Sequence, residues 1–174
     1  MTEHYTLYEG YVKKWNEIID KLRTVDMDSA NQAYSEFRAL SVEMSFALSG
    51  IKNHEVYFGH LGGSGTEPVG KLAAQIEKDF GSFEQLKKIM TAAGMSARGW
   101  AWLVWDRDLN RLLVIVGDSQ NTYVDWNALP LVALDVYEHA YFIDHGTKRA
   151  AYIEAFFKNL DWSVVQKNFE NVIE

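Results

Sequence analysis

The chain has 174 residues, 48% of them apolar, and a formal net charge of −7; it can bury a core of its own and offers no basic stripe to follow a phosphate backbone. It contains no cysteine, which excludes disulfides, thiolate chemistry and cysteine-ligated zinc and leaves oxygen and imidazole as the strong metal ligands. No window approaches the roughly 20 apolar residues of a membrane-spanning helix, so the composition points to a soluble, cytoplasmic protein with neither nucleic-acid nor membrane partners.

From Tyr5 to about Arg23, Leu7, Tyr8, Tyr11, Val12, Trp15, Ile18, Ile19 and Leu22 recur at steps of three and four, which predicts a helix with one buried face. The polar loop TVDMDSANQ leads into a second long helical segment, from Ala33 to about Leu61, with Phe37, Leu40, Met44, Phe46 and Ala47 inward. Together they predict a helical hairpin. The stretch GGSGTEPVG, with four of the twelve glycines and one of the two prolines, breaks this periodicity and sets a domain boundary. The expected domains are a helical hairpin over 1–62 and an α/β domain over 63–174.

Within the second domain, VGKLAAQIEKDFGSFEQLKKIMTAAGM predicts two short helices separated at Gly81, with Ser82 as N-cap and Gln85 at the capping-box spacing. The segments GWAWLVWD, RLLVIVGD and LPLVALDVY predict a three-stranded antiparallel sheet whose first two strands turn at DRDLN. The remainder, KRAAYIEAFFKNLDWSVVQKNFENVI, reads as helix with a break near Asp161. The fold class is α+β.

The last predicted strand runs into Asp135, Glu138 and His139. A carboxylate inside an apolar run is costly unless it is hydrogen-bonded, paired or bound to a cation. His139 follows Asp135 by four residues, so a helical turn or a sharp bend brings the two together. A structural hydrogen bond and a metal site both remain open for that pair. Two further histidines sit on inward faces of the predicted long helices: His4, two turns before Tyr11, and His54, followed by Tyr57 and Phe58. His60 and His145 fall in or beside loop signals and are expected to be solvent-accessible.

These residues resemble the iron and manganese superoxide dismutases. The likeness is carried by NHEVYF, GGSGTEPVGKLAAQIEKDFGSFEQLKK, GWAWLV, DVYEHAYFID and KRAAYIEAFFKNLDW. It implies a homodimeric enzyme that converts superoxide to dioxygen and hydrogen peroxide. One manganese or iron ion per subunit would be held by His4, His54, Asp135 and His139, with a solvent molecule as fifth ligand. It implies further that Tyr11 and Gln120, with Asn121 as the substitute, hydrogen-bond that solvent, and that Trp100 walls the site. Gly50 occupies the second-helix position from which other members reach the solvent, an arrangement more like the manganese enzymes, with use of either metal left open. Glu138 resembles the glutamate that bonds the partner subunit's ligand histidine, and Arg149 the arginine at the substrate entrance.

Several positions depart from the family pattern. Tyr137 and Phe58 replace tryptophans, and Phe142 and Leu7 replace the tyrosine and histidine of the gate between subunits. The spacing from His4 to Tyr11 is one residue shorter than the family's, which a regular helix without a bulge would accommodate. The sequence begins three residues before His4, and the extended N-terminal arm common in the family is expected to be absent. The alternative function is a non-catalytic, metal-binding or structural member of the same fold. A carboxylate-bridged di-iron protein would need paired Glu-x-x-His motifs, which the helices do not carry at the right places.

Overall fold

The computed structural model describes residues 1–122 and 125–173. The chain divides into two compact units, Met1–His54 and Glu55–Glu174.

The first unit is a helical hairpin built from α1 (Thr2–Leu22) and most of α2 (Glu36–Gly59). α1 starts three residues earlier than its apolar periodicity suggests. The Tyr5 N–H bonds the Met1 carbonyl at 2.9 Å, which closes the first turn and brings His4 into the helix. α2 starts later than expected, because Asn31 organises residues 31–35 as a loop. Its side-chain oxygen accepts from the N–H groups of Ala33 and Tyr34 at 3.1 and 2.8 Å, and its amide donates to the carbonyls of Ser29 and Tyr34. Such local bonding competes with helix formation. Ser35 then caps α2, its hydroxyl accepting from the Arg38 N–H at 3.2 Å.

The antiparallel pairing of the helices is marked by Tyr11, whose ring lies 6.0 Å from Phe46 and 5.5 Å from His54. The apolar stripe of α1 is less covered than its periodicity predicts: only His4 and Ile18 are fully buried, and Leu7 is 41% exposed.

In the second unit α3 (Gly70–Phe80) and α4 (Phe83–Ser96) meet at Gly81, whose φ of 84° is the left-handed conformation that ends a helix. Ser82 caps α4 as expected, accepting from the Gln85 N–H at 3.0 Å. The sheet has strand order β2-β1-β3 and is antiparallel throughout: β1 is Trp100–Asp106, β2 Arg111–Gly117 and β3 Ala128–Asp135. The central strand β1, WAWLVWD, is buried along its whole length, which suits its aromatic and branched composition. Pro130 lies on an edge strand, opposite Val104 at the register shift between β1 and β3, positions where a sheet tolerates proline.

Past β3 the chain makes a single 3-10 turn (Glu138–Ala140) and the short helix α5 (Phe142–His145). α6 (Arg149–Asn159) and α7 (Trp162–Ile173) follow, broken at Leu160 and Asp161 as the sequence predicts. Trp100, Leu103, Leu131, Leu134, Ile153 and Phe156 lie in the buried core of this unit.

Candidate metal centre

In the first unit the ring centroids of His4 and His54 lie 5.0 Å apart, nearly perpendicular at 87°. They come from opposite helices, and both are buried, at 3% and 0% exposure. His54 Nδ1 lies 2.6 Å from the carbonyl of Gly50, one turn back on α2. A carbonyl only accepts, so Nδ1 carries the proton and Nε2 keeps its lone pair. A fixed tautomer of this kind is how ligand histidines are usually oriented.

Gly50 has a second effect: a Cβ there would sit 3.0 Å from Cγ and Cδ1 of Tyr11. Its hydrogen lets the Tyr11 ring lie flat against α2, beside His54. α1 is α-helical throughout, so no bulge intervenes between His4 and Tyr11.

In the second unit the sheet register does the positioning. At the end of β1, Trp100 pairs with Gly117 of β2 on one side and with Asp135 of β3 on the other. Asp135 is fully buried. Its Oδ1 accepts from the Tyr137 N–H at 2.9 Å, and its Oδ2 lies 3.1 Å from His139 Nε2. The 3-10 turn after β3 creates that second contact by carrying His139 back toward the strand end. His139 is the more open of the two, with 25% of its side chain exposed, and the Tyr137 ring stacks on it at 5.3 Å and 14°.

Around this pair, Trp100 is fully buried and its indole N–H donates to Gln120 Oε1 at 3.0 Å. That bond turns the amide nitrogen of Gln120, itself 2% exposed, into the donor end of the side chain. Asn121, the substitute, is half-buried and accepts from the Ser119 hydroxyl at 3.2 Å.

Glu138 and Phe142 are exposed on this single chain, Phe142 at 51%. Arg149 is half-buried and caps the C-terminus of α4, donating to the carbonyls of Ala97 at 2.9 Å and Gly94 at 3.4 Å, and to the Tyr141 hydroxyl at 3.2 Å. A cation at a helix C-terminus also complements the dipole.

His60, expected to be solvent-accessible, is only 1% exposed. Its Nε2 accepts from the Ala133 N–H of β3 at 3.0 Å, and burial lowers its pKa to about 4. The loop signals after it were real, but they concern the backbone and not the side chain.

The sequence reading also passed over a tyrosine pair. The hydroxyls of Tyr57 and Tyr152 meet at 3.2 Å. Burial pushes Tyr57 up to about 12 against the lowering effect of the Tyr152 bond, with Asp135 adding to the rise. Tyr152 is raised by burial and then by the charges of Tyr57 and Asp135. Both remain neutral donors. Tyr57 had a helical-spacing signal, but nothing local marks Tyr152.

The side chains fit an iron or manganese ion. The second unit offers a buried carboxylate oxygen 3.1 Å from an imidazole nitrogen, about the separation of two ligand atoms each roughly 2.1 Å from one ion at near a right angle. The first unit offers two buried imidazoles, one with its tautomer fixed. Imidazole and carboxylate without thiolate suit a first-row metal that changes valence.

Residues 68–168 match the family model described as iron/manganese superoxide dismutases, C-terminal domain. The chain is 45% identical over 172 residues to an iron superoxide dismutase of Aquifex pyrophilus, across 96% of this chain and 80% of that protein. It is 36% identical over 177 residues to an iron superoxide dismutase of Methanothermobacter thermautotrophicus, across 98% and 84%. A manganese superoxide dismutase of Halobacterium salinarum is 34% identical over 172 residues, across 98% and 84%. Likeness of this degree along nearly the whole length, on a fold that buries these imidazoles and this carboxylate, makes the chain a member of the iron/manganese superoxide dismutase family.

Proposed function

We propose that this chain is an enzyme that dismutates superoxide at one iron or manganese ion held by His4, His54, Asp135 and His139. The observation that carries the reading is Asp135, a carboxylate with no exposure whose oxygen lies 3.1 Å from His139 Nε2, in a chain whose relatives are named superoxide dismutases. When bound, the ion supplies the one-electron couple by which two superoxide anions and two protons become one dioxygen and one hydrogen peroxide.

The protein's part is to orient ligands and handle protons. The Gly50 carbonyl accepts the His54 Nδ1–H, so that Nε2 is the atom that would bind the ion, and the Tyr137 N–H holds Asp135 by the oxygen that does not face His139. Tyr11 and Gln120 are the proton-relay groups, the first kept in place by the missing side chain at Gly50 and the second by Trp100. Arg149 adds a positive charge that draws the anionic substrate against the net charge of −7. The enzyme works as a cytoplasmic homodimer that covers Glu138. Gly50, with Gln120 as the solvent partner, favours manganese over iron.

The test is metal content and superoxide removal of protein produced with iron and manganese supplied separately, alongside Asp135→Ala and His54→Ala. The reading predicts about one ion per chain, activity with at least one metal, and loss of both in each variant. Undiminished superoxide removal in either variant would overturn it, and bound metal without turnover would leave only a storage or structural role.

A further inference from the structure

In this acidic chain the second unit gathers three cations around an apolar floor. A groove of about 550 Å³ opens between α3, the β1–β2 turn and the end of α7. Its floor is Trp105 and Phe169, 6% and 1% exposed, whose rings meet edge to face at 5.2 Å. Its rim carries Lys71 and Lys78 from α3 and Arg107 from the turn. The two lysines are seven residues apart, two helical turns, and so share one face about 10 Å apart along the axis.

None of these three cations is ion-paired among the described residues. Two carboxylates beside them in sequence, Asp79 and Asp106, are committed to other groups. Asp79 accepts from Gln75 Nε2 at 2.6 Å and from the Leu112 N–H at 2.7 Å, and Asp106 is spent on the N–H groups of Asp108 and Leu109. The groove therefore sets three exposed positive charges, none ion-paired among the described residues, around an apolar floor.

We propose that this groove is a binding site for an amphipathic organic anion, with an aromatic or short alkyl body against Ala74, Val172 and Ile173 above the Trp105 floor and a carboxylate or phosphate between Lys71, Lys78 and Arg107. The volume is that of a small-molecule pocket, which typically runs about 300–1,000 Å³. The charges and the apolar lining each select half of such a ligand: a purely apolar molecule leaves the cations unanswered, and an inorganic anion leaves Ala74, Val172 and Ile173 uncovered. A nucleic acid would need a basic track longer than this cluster.

The experiment uses the full chain and two fluorescent probes that differ only in charge, anilinonaphthalene sulfonate and its neutral parent phenylnaphthylamine. The sulfonate is expected to bind saturably at one site per chain, about tenfold or more tighter than the neutral probe at low salt, with the preference shrinking as salt screens the cations. Charge reversal in the K71E/K78E/R107E variant removes the preference. Ala74→Trp, which fills the groove from an exposed position on α3, removes binding without touching a charge. Displacement by decanoate identifies the natural ligand as a carboxylate, and displacement by naphthyl phosphate identifies it as a phosphate. Equal binding of the two probes, sulfonate binding that survives either variant, or displacement by neither competitor overturns the proposal.

Discussion

His60 should make the second unit acid-sensitive in a way that one substitution can isolate. The ring is 1% exposed and accepts the Ala133 N–H of β3 through Nε2, which only the neutral imidazole can do. Burial holds its pKa at about 4, against 6.5 for an ordinary histidine. Between those values the unfolded chain takes up a proton that the folded chain refuses, so stability falls as pH drops from about 6.5 toward 4 and is unaffected above that window. A shift of this size is worth about 3 kcal/mol in total, at about 1.4 kcal/mol per unit, with about 2 kcal/mol gone by pH 5. His60→Gln keeps an acceptor at the end of the side chain but cannot take the proton. Urea unfolding of both proteins in the same metal state, from pH 7 to pH 4, should give curves that converge by about 3 kcal/mol on acidification, whatever offset the lost ring packing imposes at neutral pH. Parallel curves would refute the argument.

Gly50→Ala places a methyl group 3.0 Å from two ring atoms of Tyr11, and the ring must give by a few tenths of an ångström. Superoxide removal should fall several-fold, about two to ten, at unchanged metal content, since small misplacements near reacting groups cost rate. Gly117→Ala drives a Cβ into the six-membered ring of Trp102 across the β1–β2 ladder, so the urea midpoint should drop by the equivalent of about 1–3 kcal/mol. Arg149→Met removes the guanidinium from the Ala97 and Gly94 carbonyls and should cost about 1–3 kcal/mol, as loss of a charged hydrogen-bond donor does. If Arg149 also draws in superoxide, the salt dependence of kcat/KM weakens in the same variant; an unaltered salt profile leaves it the capping role alone.

What the sequence made legible was mostly what neighbouring residues decide. Ser82 caps α4 through a residue three places on, Gly81 ends α3 by its own conformation, and β1 reads as a buried strand from seven residues. His139 lies within one turn of Asp135, so their pairing was visible as a spacing before the 3-10 turn that creates it was known. The misses are long-range. His60 bonds a backbone group 73 residues away, and Tyr57 meets Tyr152 across 95; no local pattern records either contact. The late start of α2 was missed for a different reason: residues 33–35 have helical composition, but Asn31 bonds their backbone first. Arg149 shows the limit of reading a charge, because its sign was evident while its partners, the carbonyls ending α4, lie 52 and 55 residues back.

Strand register links the fold to the chemistry proposed for it. Trp100 touches two things only because β1 runs between β2 and β3 in one alignment: Asp135 directly across one ladder, and Gly117 across the other, three residues before Gln120. Moving β3 by a single residue would carry the Asp135 carboxylate to the opposite face of the sheet, because side chains alternate with period two. It would also leave a buried charge without the Tyr137 N–H or His139 as partner, a loss of several kcal/mol. The apolar residues of β3 resist that slip, since Leu131, Val132, Ala133 and Leu134 are all buried and so penalise displacement on either face. The carboxylate is thus held in place by hydrophobic packing that has no part in its chemistry, and substitutions in the interior of β3 should act on the site through register before they act through contact.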